Sequence, residues 1–171
     1  SMTHPESQIS LFNDAAFGIE AEPEELFDYY KRVTGKELET RSHNIQTFED
    51  SGYYILSSDG ETKMIIDCGY VGPEYQPGHS HCDTLGFELS IKGQRAVVVS
   101  GCFQYEAGNI RQYNRGNIGN NTITIDGENQ SEVWGAQRCA RKAVPLEVEC
   151  RQKKHGDLLF KGGHDGYTHL K

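Results

Sequence analysis

Apolar and polar positions follow two periods along the chain, with the change near residue 45. Before it, one stripe recurs at helical spacing and consists of Leu26, Tyr29, Tyr30 and Val33. Pro23 suits the first turn of a helix, and Gly35 suits its end. We therefore predict a short helix between them, preceded by an irregular lead-in over residues 1–22. The stripe is interpreted as packing rather than as a functional site.

After residue 45 the pattern alternates with a period of two, which is typical of strands with one buried face. Strands are predicted near residues 52–57, 63–67, 85–91, 95–100, 121–126, 144–150 and 157–161. Gly60, Gly93 and the pair Asp126-Gly127 are turn signals. Many short strands with little helix predict a mostly β fold, an antiparallel β-sandwich with one short N-terminal helix. Residues 1–44 form the lead-in segment and residues 45–171 the sandwich domain.

Composition narrows the possible functions. The net charge is −8 and the pI about 5.3, which disfavours nucleic acid as a partner because phosphate binding needs clustered Lys and Arg. No apolar run approaches the roughly 20 residues of a membrane span, and no signal peptide is recognisable. Five cysteines at irregular spacing, without a CxxC pair, predict buried free thiols rather than a disulfide framework.

The run from Gly78 to Asp83 has the strongest signal for chemistry. It contains an HxHxD pattern, in which His79, His81 and Asp83 would share one face of an extended chain. Such a pattern can present imidazoles to a metal, with the carboxylate orienting one of them. Hydrogen-bonded core histidines are the alternative.

A second candidate is the run from Arg111 to Thr122, interpreted as a loop beside the sheet. Guanidinium groups bind carboxylate or sulfate in bidentate fashion, and a tyrosine hydroxyl can carry a proton. The basic side chains could face an anionic ligand or form an ordinary solvated surface, and they are Arg111, Arg115, Arg138, Arg141 and Lys142. Trp134 suits a sugar-stacking platform or the core. His164, Asp165 and Tyr167 form a third polar and aromatic cluster.

Taken together, these motifs resemble the heparinase II/III-like family over nearly the whole chain. In chain order they are Leu11-Phe12-Asn13-Asp14, Ser51-Gly52-Tyr53-Tyr54, Asp67-Cys68-Gly69, residues 78–89, residues 111–122, Asp126-Gly127, residues 131–135, residues 138–141 and residues 164–167. The resemblance implies the C-terminal β-sandwich of a polysaccharide lyase, part of a heparinase II/III-type supersandwich. Family members continue beyond the last motif, so we expect the chain to end inside its domain and to expose strand edges that favour self-association.

The resemblance implies an activity as well. Family members are carbon–oxygen lyases that cleave uronic-acid polysaccharides such as heparan sulfate or alginate by β-elimination. The family's helical domain supplies a Tyr and an Asn-His pair, so this chain alone is expected to be inactive. By motif, His79, Tyr113 and Arg115 are the catalytic candidates. The candidate substrate ligands are Arg111, Asn120, Asn121 and Trp134. The family suggests a bacterial periplasmic or secreted protein, whereas the sequence itself leaves the compartment open.

Zinc is the cofactor that the resemblance raises. In zinc-containing members, the second His of HxH, an Asp and a later His bind the metal. Those positions correspond to His81, to Ser100 or its neighbour, and to Asn120. Serine and carboxamide oxygens are poor zinc ligands, so no cofactor is expected. These two replacements favour the alternative functions, a catalytically degenerate module that binds anionic glycan or a structural sandwich.

Overall fold

The computed structural model describes residues 2–38 and 43–170, and most of its regular structure is β-strand. The residues 39–42 of the predicted lead-in segment lie outside the described residues. The helices are α1 (Pro23–Thr34) and α2 (Asn109–Arg115), with 3-10 turns at Glu49–Ser51 and Asn117–Gly119. The strands are β1 (Ile45–Phe48), β2 (Tyr53–Ser57), β3 (Lys63–Asp67), β4 (Gly86–Ile91), β5 (Gln94–Val97), β6 (Val133–Trp134), β7 (Arg138–Cys139), β8 (Pro145–Gln152) and β9 (Leu158–His164).

Helix α1 has the bounds that the sequence predicts. The Glu25 side chain accepts a hydrogen bond from the Glu22 backbone N–H at 3.0 Å, and Gly35 ends the helix with a φ of 68°. The expectation that its apolar stripe packs inside the chain is wrong. All four side chains of that stripe are exposed, because α1 stands away from the sheet.

Strands β1 to β5 form one antiparallel sheet in chain order, and its two faces are covered by different parts of the chain. Ile55 and Ile65 point to one face, where they pack with Phe12 of the lead-in. Their neighbours Tyr54 and Ile66 point to the other face, against the antiparallel hairpin of β8 and β9. This two-layer packing confirms the antiparallel sandwich that the alternation predicts.

Two glycines explain why the sheet can turn tightly beside β2 and β3. Gly52 has a φ of 77°, and a Cβ placed on it would lie 2.2 Å from the Cα of Gly69. The Cys68 N–H donates to the Gly52 carbonyl at 2.8 Å. Any larger side chain at residue 52 would push these backbones apart.

The lead-in is more ordered than its irregular sequence pattern suggests. His4 is fully buried between β4 side chains, with Nδ1 2.6 Å from Ser90 Oγ and Nε2 2.7 Å from Glu88 Oε2. Arg95 also donates to Glu88 Oε2 at 2.7 Å. Although Ser, His and a carboxylate meet here, the cluster is sealed from solvent. We interpret this buried cluster as a structural contact that fixes the lead-in onto the sheet.

Two sequence-based predictions of local structure need correction, and the strands β1, β6 and β7 were not predicted. Residues 121–126 do not form a strand, because their side chains bond to the backbone of the neighbouring segment: Asn121 Nδ2 donates to the Phe87 carbonyl at 3.0 Å and Thr122 Oγ1 to the Thr84 carbonyl at 2.7 Å. The run from Arg111 to Arg115 lies in helix α2 rather than in a loop.

The cysteines are all free, as predicted, but only Cys68 and Cys82 are fully buried. Cys102, Cys139 and Cys150 are half-buried. Burial raises the pKa of the Cys82 thiol to about 12, which leaves it protonated near neutral pH. Within residues 2–38 and 43–170, no helix has the length and apolar character that a bilayer crossing requires.

Candidate active site

The carboxylate of Asp14 gathers the two histidines of the HxHxD pattern. Its Oδ2 lies 2.9 Å from His79 Nδ1, and its Oδ1 lies 2.8 Å from His81 Nε2. Arg111 adds a bidentate contact, with one nitrogen on Oδ1 and the other 2.9 Å from Oδ2. Four donors fill the acceptor capacity of a carboxylate. Asp14 is therefore a positioning residue rather than a free base.

The environment keeps Asp14 ionised. Burial alone would raise the pKa of its carboxyl group, but the hydrogen bonds from His81, Arg111 and His79 together hold that pKa well below its usual range. An ionised acceptor fixes the ring orientation of both histidines. The lead-in thus supplies the Asp14 carboxylate, which orients the other members of the site. These are His79, His81 and Arg111.

The two histidines differ in their exposure to solvent. The His79 side chain is 62% exposed, whereas the His81 side chain is fully buried. Burial lowers the pKa of His81, although its bond to Asp14 opposes that shift. With Nδ1 donating to Asp14, His79 presents Nε2 outward. His79 is therefore the member of the pair that a ligand can reach.

Asp83 does not orient either imidazole, which corrects the interpretation of the HxHxD run as one face of a strand. Residues 79–83 precede β4 and are not part of a strand, and the Asp83 side chain is buried. Its Oδ2 accepts a hydrogen bond from the Asn13 N–H at 3.3 Å, and the Asn13 side chain donates to Asp67 Oδ2 at 3.4 Å. Burial raises the pKa of Asp67 to about 6 and that of Asp83 well above its usual value. Two carboxyl groups therefore share a buried site beneath the histidines.

Arg115 does not fit the catalytic role that its motif suggests. Its side chain is fully buried, and its guanidinium donates to the carbonyls of Ser80, Trp134 and Arg138 at 3.1, 3.4 and 3.1 Å. It holds the strand pair β6–β7 against the histidine segment. We correct its assignment from catalysis to structure.

Arg111 is equally unsuited to direct contact with substrate. It is fully buried, and its Nε donates to the Ala136 carbonyl at 2.8 Å while its other nitrogens hold Asp14. Most of the basic side chains of the expected patch likewise donate hydrogen bonds within the chain. Arg141 donates to the Gln130 and Gly166 carbonyls at 2.9 and 2.7 Å, whereas Arg138 is exposed.

One aromatic ring contacts the exposed histidine, and two further aromatic side chains are accessible elsewhere in the candidate region. The ring of Tyr105 meets His79 edge-on with centroids 5.9 Å apart, and Arg111 lies 5.3 Å over the same ring. Tyr113 on α2 is about half exposed, as is Trp134. The Trp134 hairpin is held beside α2 because Gln112 donates to the Gly135 carbonyl at 2.7 Å. Tyr113 and Trp134 are therefore accessible to solvent.

Asn120 and Asn121 are occupied by backbone contacts. Asn120 is buried, and its Nδ2 donates to the Asn114 and Gly116 carbonyls at 3.1 and 2.8 Å. Asn121 bonds to β4 as described above. The buried Asn120 does not fit its assignment as a substrate ligand, whereas that assignment stays a prediction for the half-buried Asn121.

The third cluster has a structural role. Asn117 donates to the Tyr167 hydroxyl at 2.8 Å, and that hydroxyl donates to the Ile123 carbonyl at 2.8 Å. Asp165 accepts a hydrogen bond from the Val144 N–H at 2.7 Å. These bonds fasten the chain after β9 to the segment that follows α2.

The residues in the family's zinc positions do not fit a zinc ion. His81 already uses Nε2 on Asp14, and its buried Nδ1 has no hydrogen-bond partner within the described chain. Ser100 Oγ accepts from Asn114 Nδ2 at 3.0 Å. Asn120 contributes one unpartnered neutral oxygen. Across residues 2–38 and 43–170, no group of three or more His, Cys, Asp or Glu side chains is placed to hold a metal.

A family model described as heparinase II/III-like, C-terminal, matches residues 40–171. This chain belongs to that family. A heparinase III gene product has a similar fold with a TM-score of 0.69 at 18% identity, over 98% of this chain and 27% of that protein. A mutant of the heparan sulfate lyase HepC from Pedobacter heparinus gives the same four values. No curated protein matches.

The heparinase II/III-like chain spans about a quarter of the length of these solved relatives. Sequence reasoning missed two residues of its site, Asp14 and Tyr105. Asp14 lies in the Leu11–Asp14 motif, so membership of that motif was the available signal. Tyr105 had no comparable signal, because only the fold brings its ring to His79 and Arg111.

Proposed function

We propose that the chain forms the β-domain wall of a polysaccharide lyase active site that cleaves uronic-acid glycans by β-elimination. The observation that carries this proposal is the Asp14 carboxylate, which aims an exposed His79 outward while it holds His81 and Arg111 inside. A preorganised donor at the edge of a sheet is suited to charge that develops only in the transition state.

The reaction requires three groups at one sugar. A base removes the C5 proton, the electrons of the C5–H bond form the C4=C5 double bond, and the C4–O4 bond breaks. The departing O4 receives a proton. The uronate carboxylate takes up negative charge as C5 loses its proton, so a donor beside it lowers the barrier. We assign that donor role to His79.

Tyr113 is the second group that we assign to the site. It is half exposed on α2, the helix that also carries the Arg111 contact to Asp14. A tyrosine hydroxyl can transfer a proton to or from the sugar. The Tyr and Asn-His pair that the resemblance implies would come from the helical domain.

Heparan sulfate is the first substrate to test, because a structurally similar protein is a heparan sulfate lyase. The experiment incubates the protein joined to its helical domain with heparan sulfate and with alginate, and it follows the ultraviolet absorbance of the unsaturated product. Absence of that product from a panel of uronic-acid polymers would contradict the proposal. His79→Gln is the matched variant, since glutamine keeps a hydrogen-bond donor of similar size but removes the imidazole.

The isolated chain should give no product in the same assay. Catalytic groups that act as a unit lose most of their effect when one is missing. Turnover by the chain alone would contradict the division of roles between two domains. Binding of the polymer without cleavage by the complete protein would favour the alternative function, a degenerate glycan-binding module. The residue types at Ser100 and Asn120 support that alternative, because a hydroxyl and a carboxamide oxygen are poor substitutes for carboxylate and imidazole at zinc.

Self-association of the chain also remains a prediction. The apolar stripe of α1 is exposed, and such surface tends to associate in water. Light scattering over a range of concentrations tests it, and a constant monomer mass would contradict it.

A further inference from the structure

A depression beside His79 is lined by two tyrosines that the mechanism above does not use. Tyr70 is 77% exposed and Tyr75 is 89% exposed. Together with Asp67, Gln76 and His79 they border a cavity of about 390 Å³. Ligand sites commonly have volumes of roughly 300–1,000 Å³. The cavity therefore has room for a ligand in direct continuity with the exposed histidine.

The segment that carries these tyrosines is held in place at several points. Lys142 Nζ donates to the Pro73 carbonyl at 3.0 Å, and Val71 is buried in the domain. Gly72 has a φ of 60°, and a Cβ placed there would lie 2.2 Å from Ser80 Oγ. Pro73 and Pro77 further restrict the backbone. Two large aromatic rings thus stay exposed on an anchored segment, so their ordering cost upon binding is small.

The lining residues indicate the chemistry of the ligand. The described residues around the cavity include no Lys or Arg, and His79 is its basic group. Tyrosine rings offer flat apolar faces, which suit the C–H faces of a sugar ring, and their hydroxyls remain free for polar contacts. Gln76 supplies hydrogen-bonding groups for sugar hydroxyls, whereas the buried Asp67 carboxyl group already accepts hydrogen bonds from Asn13 and Gly69. This combination suits the ring face of a glycan better than its acidic groups.

We propose that Tyr70 and Tyr75 form a sugar-binding subsite that holds a ring of the glycan adjoining the residue at His79. This inference rests on the proposed function, because it takes the polymer bound at His79 as its ligand. The subsite contributes affinity and positioning along the chain of sugars, whereas His79 acts on the reacting sugar.

The test titrates the 171-residue chain, with its tyrosine rings isotope-labelled for NMR, with a heparan sulfate hexasaccharide. Signals of Tyr70 and Tyr75, assigned from the single Ala variants, should shift in a saturable manner. Tyr75→Ala and Tyr70→Ala should each raise the Kd about tenfold, as expected for exposed aromatic anchors of a binding site. Tyr29→Ala removes another exposed tyrosine ring, on α1, and should leave the Kd unchanged. Melting curves confirm that each variant is folded.

The outcomes separate the subsite from the lyase function. An unchanged Kd in both Ala variants overturns the subsite while glycan binding stands. A hexasaccharide that does not bind to the chain also overturns the subsite. Tyrosine signals that shift with protein concentration alone would show an interface between copies of the chain and would also overturn it. Failure of the lyase function shows separately, as binding at the tyrosines without unsaturated product from the complete protein.

Discussion

Asp14 Oδ1 lies 2.8 Å from Nε2 of the buried His81, although 67 positions separate the two residues in the chain. The same carboxylate holds Arg111 and His79. One side chain of the lead-in thus neutralises a buried guanidinium and orients two imidazoles. The site depends on the docking of residues 2–15 against the sheet, which His4 and Phe12 secure.

Asp14→Asn should destabilise the fold. The substitution keeps the shape but removes the charge that pairs with Arg111, and an unpaired buried charge costs about 3–5 kcal/mol. Urea unfolding at neutral pH measures the change. Glu20→Gln is the matched control, because Glu20 is an exposed acid of the same lead-in, and it should change the free energy of unfolding by less than about 0.5 kcal/mol. Equal stability of Asp14→Asn and wild type would contradict the central role of Asp14.

The buried pair Asp67 and Asp83 predicts a stability that falls as pH rises. A carboxyl group whose folded pKa is raised stabilises the fold below its unfolded pKa, roughly 3.9, and that contribution is lost as pH passes the folded pKa. For Asp67 the folded pKa is about 6. The stability that Asp67 contributes should therefore be lost between about pH 4 and pH 7. Asp14 has the opposite effect on the pH dependence of stability. Because the pKa of its carboxyl group is lowered in the folded protein, its contribution to stability is present at neutral pH and is lost only in strong acid.

Asp67→Asn isolates this effect, because asparagine stays neutral at every pH. Relative to wild type, the variant should gain stability by about 3 kcal/mol between pH 4 and pH 7. Urea unfolding at a series of pH values gives the difference directly. A constant difference across that range would show that Asp67 ionises normally in the folded protein. Asp157→Asn, at an exposed position before β9, is the control for general effects of charge removal.

Much of the fold follows from local pattern. Strand β3 has the predicted bounds, because Ile65 and Ile66 alternate between two buried faces. Helix α1 follows from Pro23 and Gly35. The predicted strand at 121–126 fails for a physical reason. Ile123 and Ile125 alternate correctly but remain exposed, while their neighbours bond to other backbone segments.

The site was only partly predictable. His79 and Tyr113 were found by motif and prove accessible, although their roles remain predictions. By motif, Arg115 was assigned to catalysis and Arg111 to substrate binding, but both are buried, and arginine is rarely buried without a partner. Here Asp14 and backbone carbonyls are those partners, and such long-range pairing is not visible in a single sequence.

We predict that the purified chain holds well below one zinc per molecule. The three family positions offer one imidazole and two neutral oxygens, and the oxygen of Ser100 already accepts a hydrogen bond from Asn114. Elemental analysis after dialysis against buffer tests this. The double variant Ser100→Asp with Asn120→His restores the ligand types of zinc-containing members and serves as a comparison. About one zinc per wild-type chain would refute the prediction.

The last prediction separates the two histidines in the complete protein. His79→Ala should lower kcat by a factor on the order of 10² to 10³ with little change in KM, since a donor to transition-state charge acts on the chemical step. His81→Ala should mainly lower the melting temperature, because the buried ring satisfies Asp14 and fills space. His155→Ala, at an exposed turn, should change neither quantity. Turnover and melting temperature are measured for all three variants. If His81→Ala abolishes turnover without a loss of stability while His79→Ala remains active, the roles are reversed, and the inward nitrogen of His81 rather than the outward face of His79 would carry the chemistry.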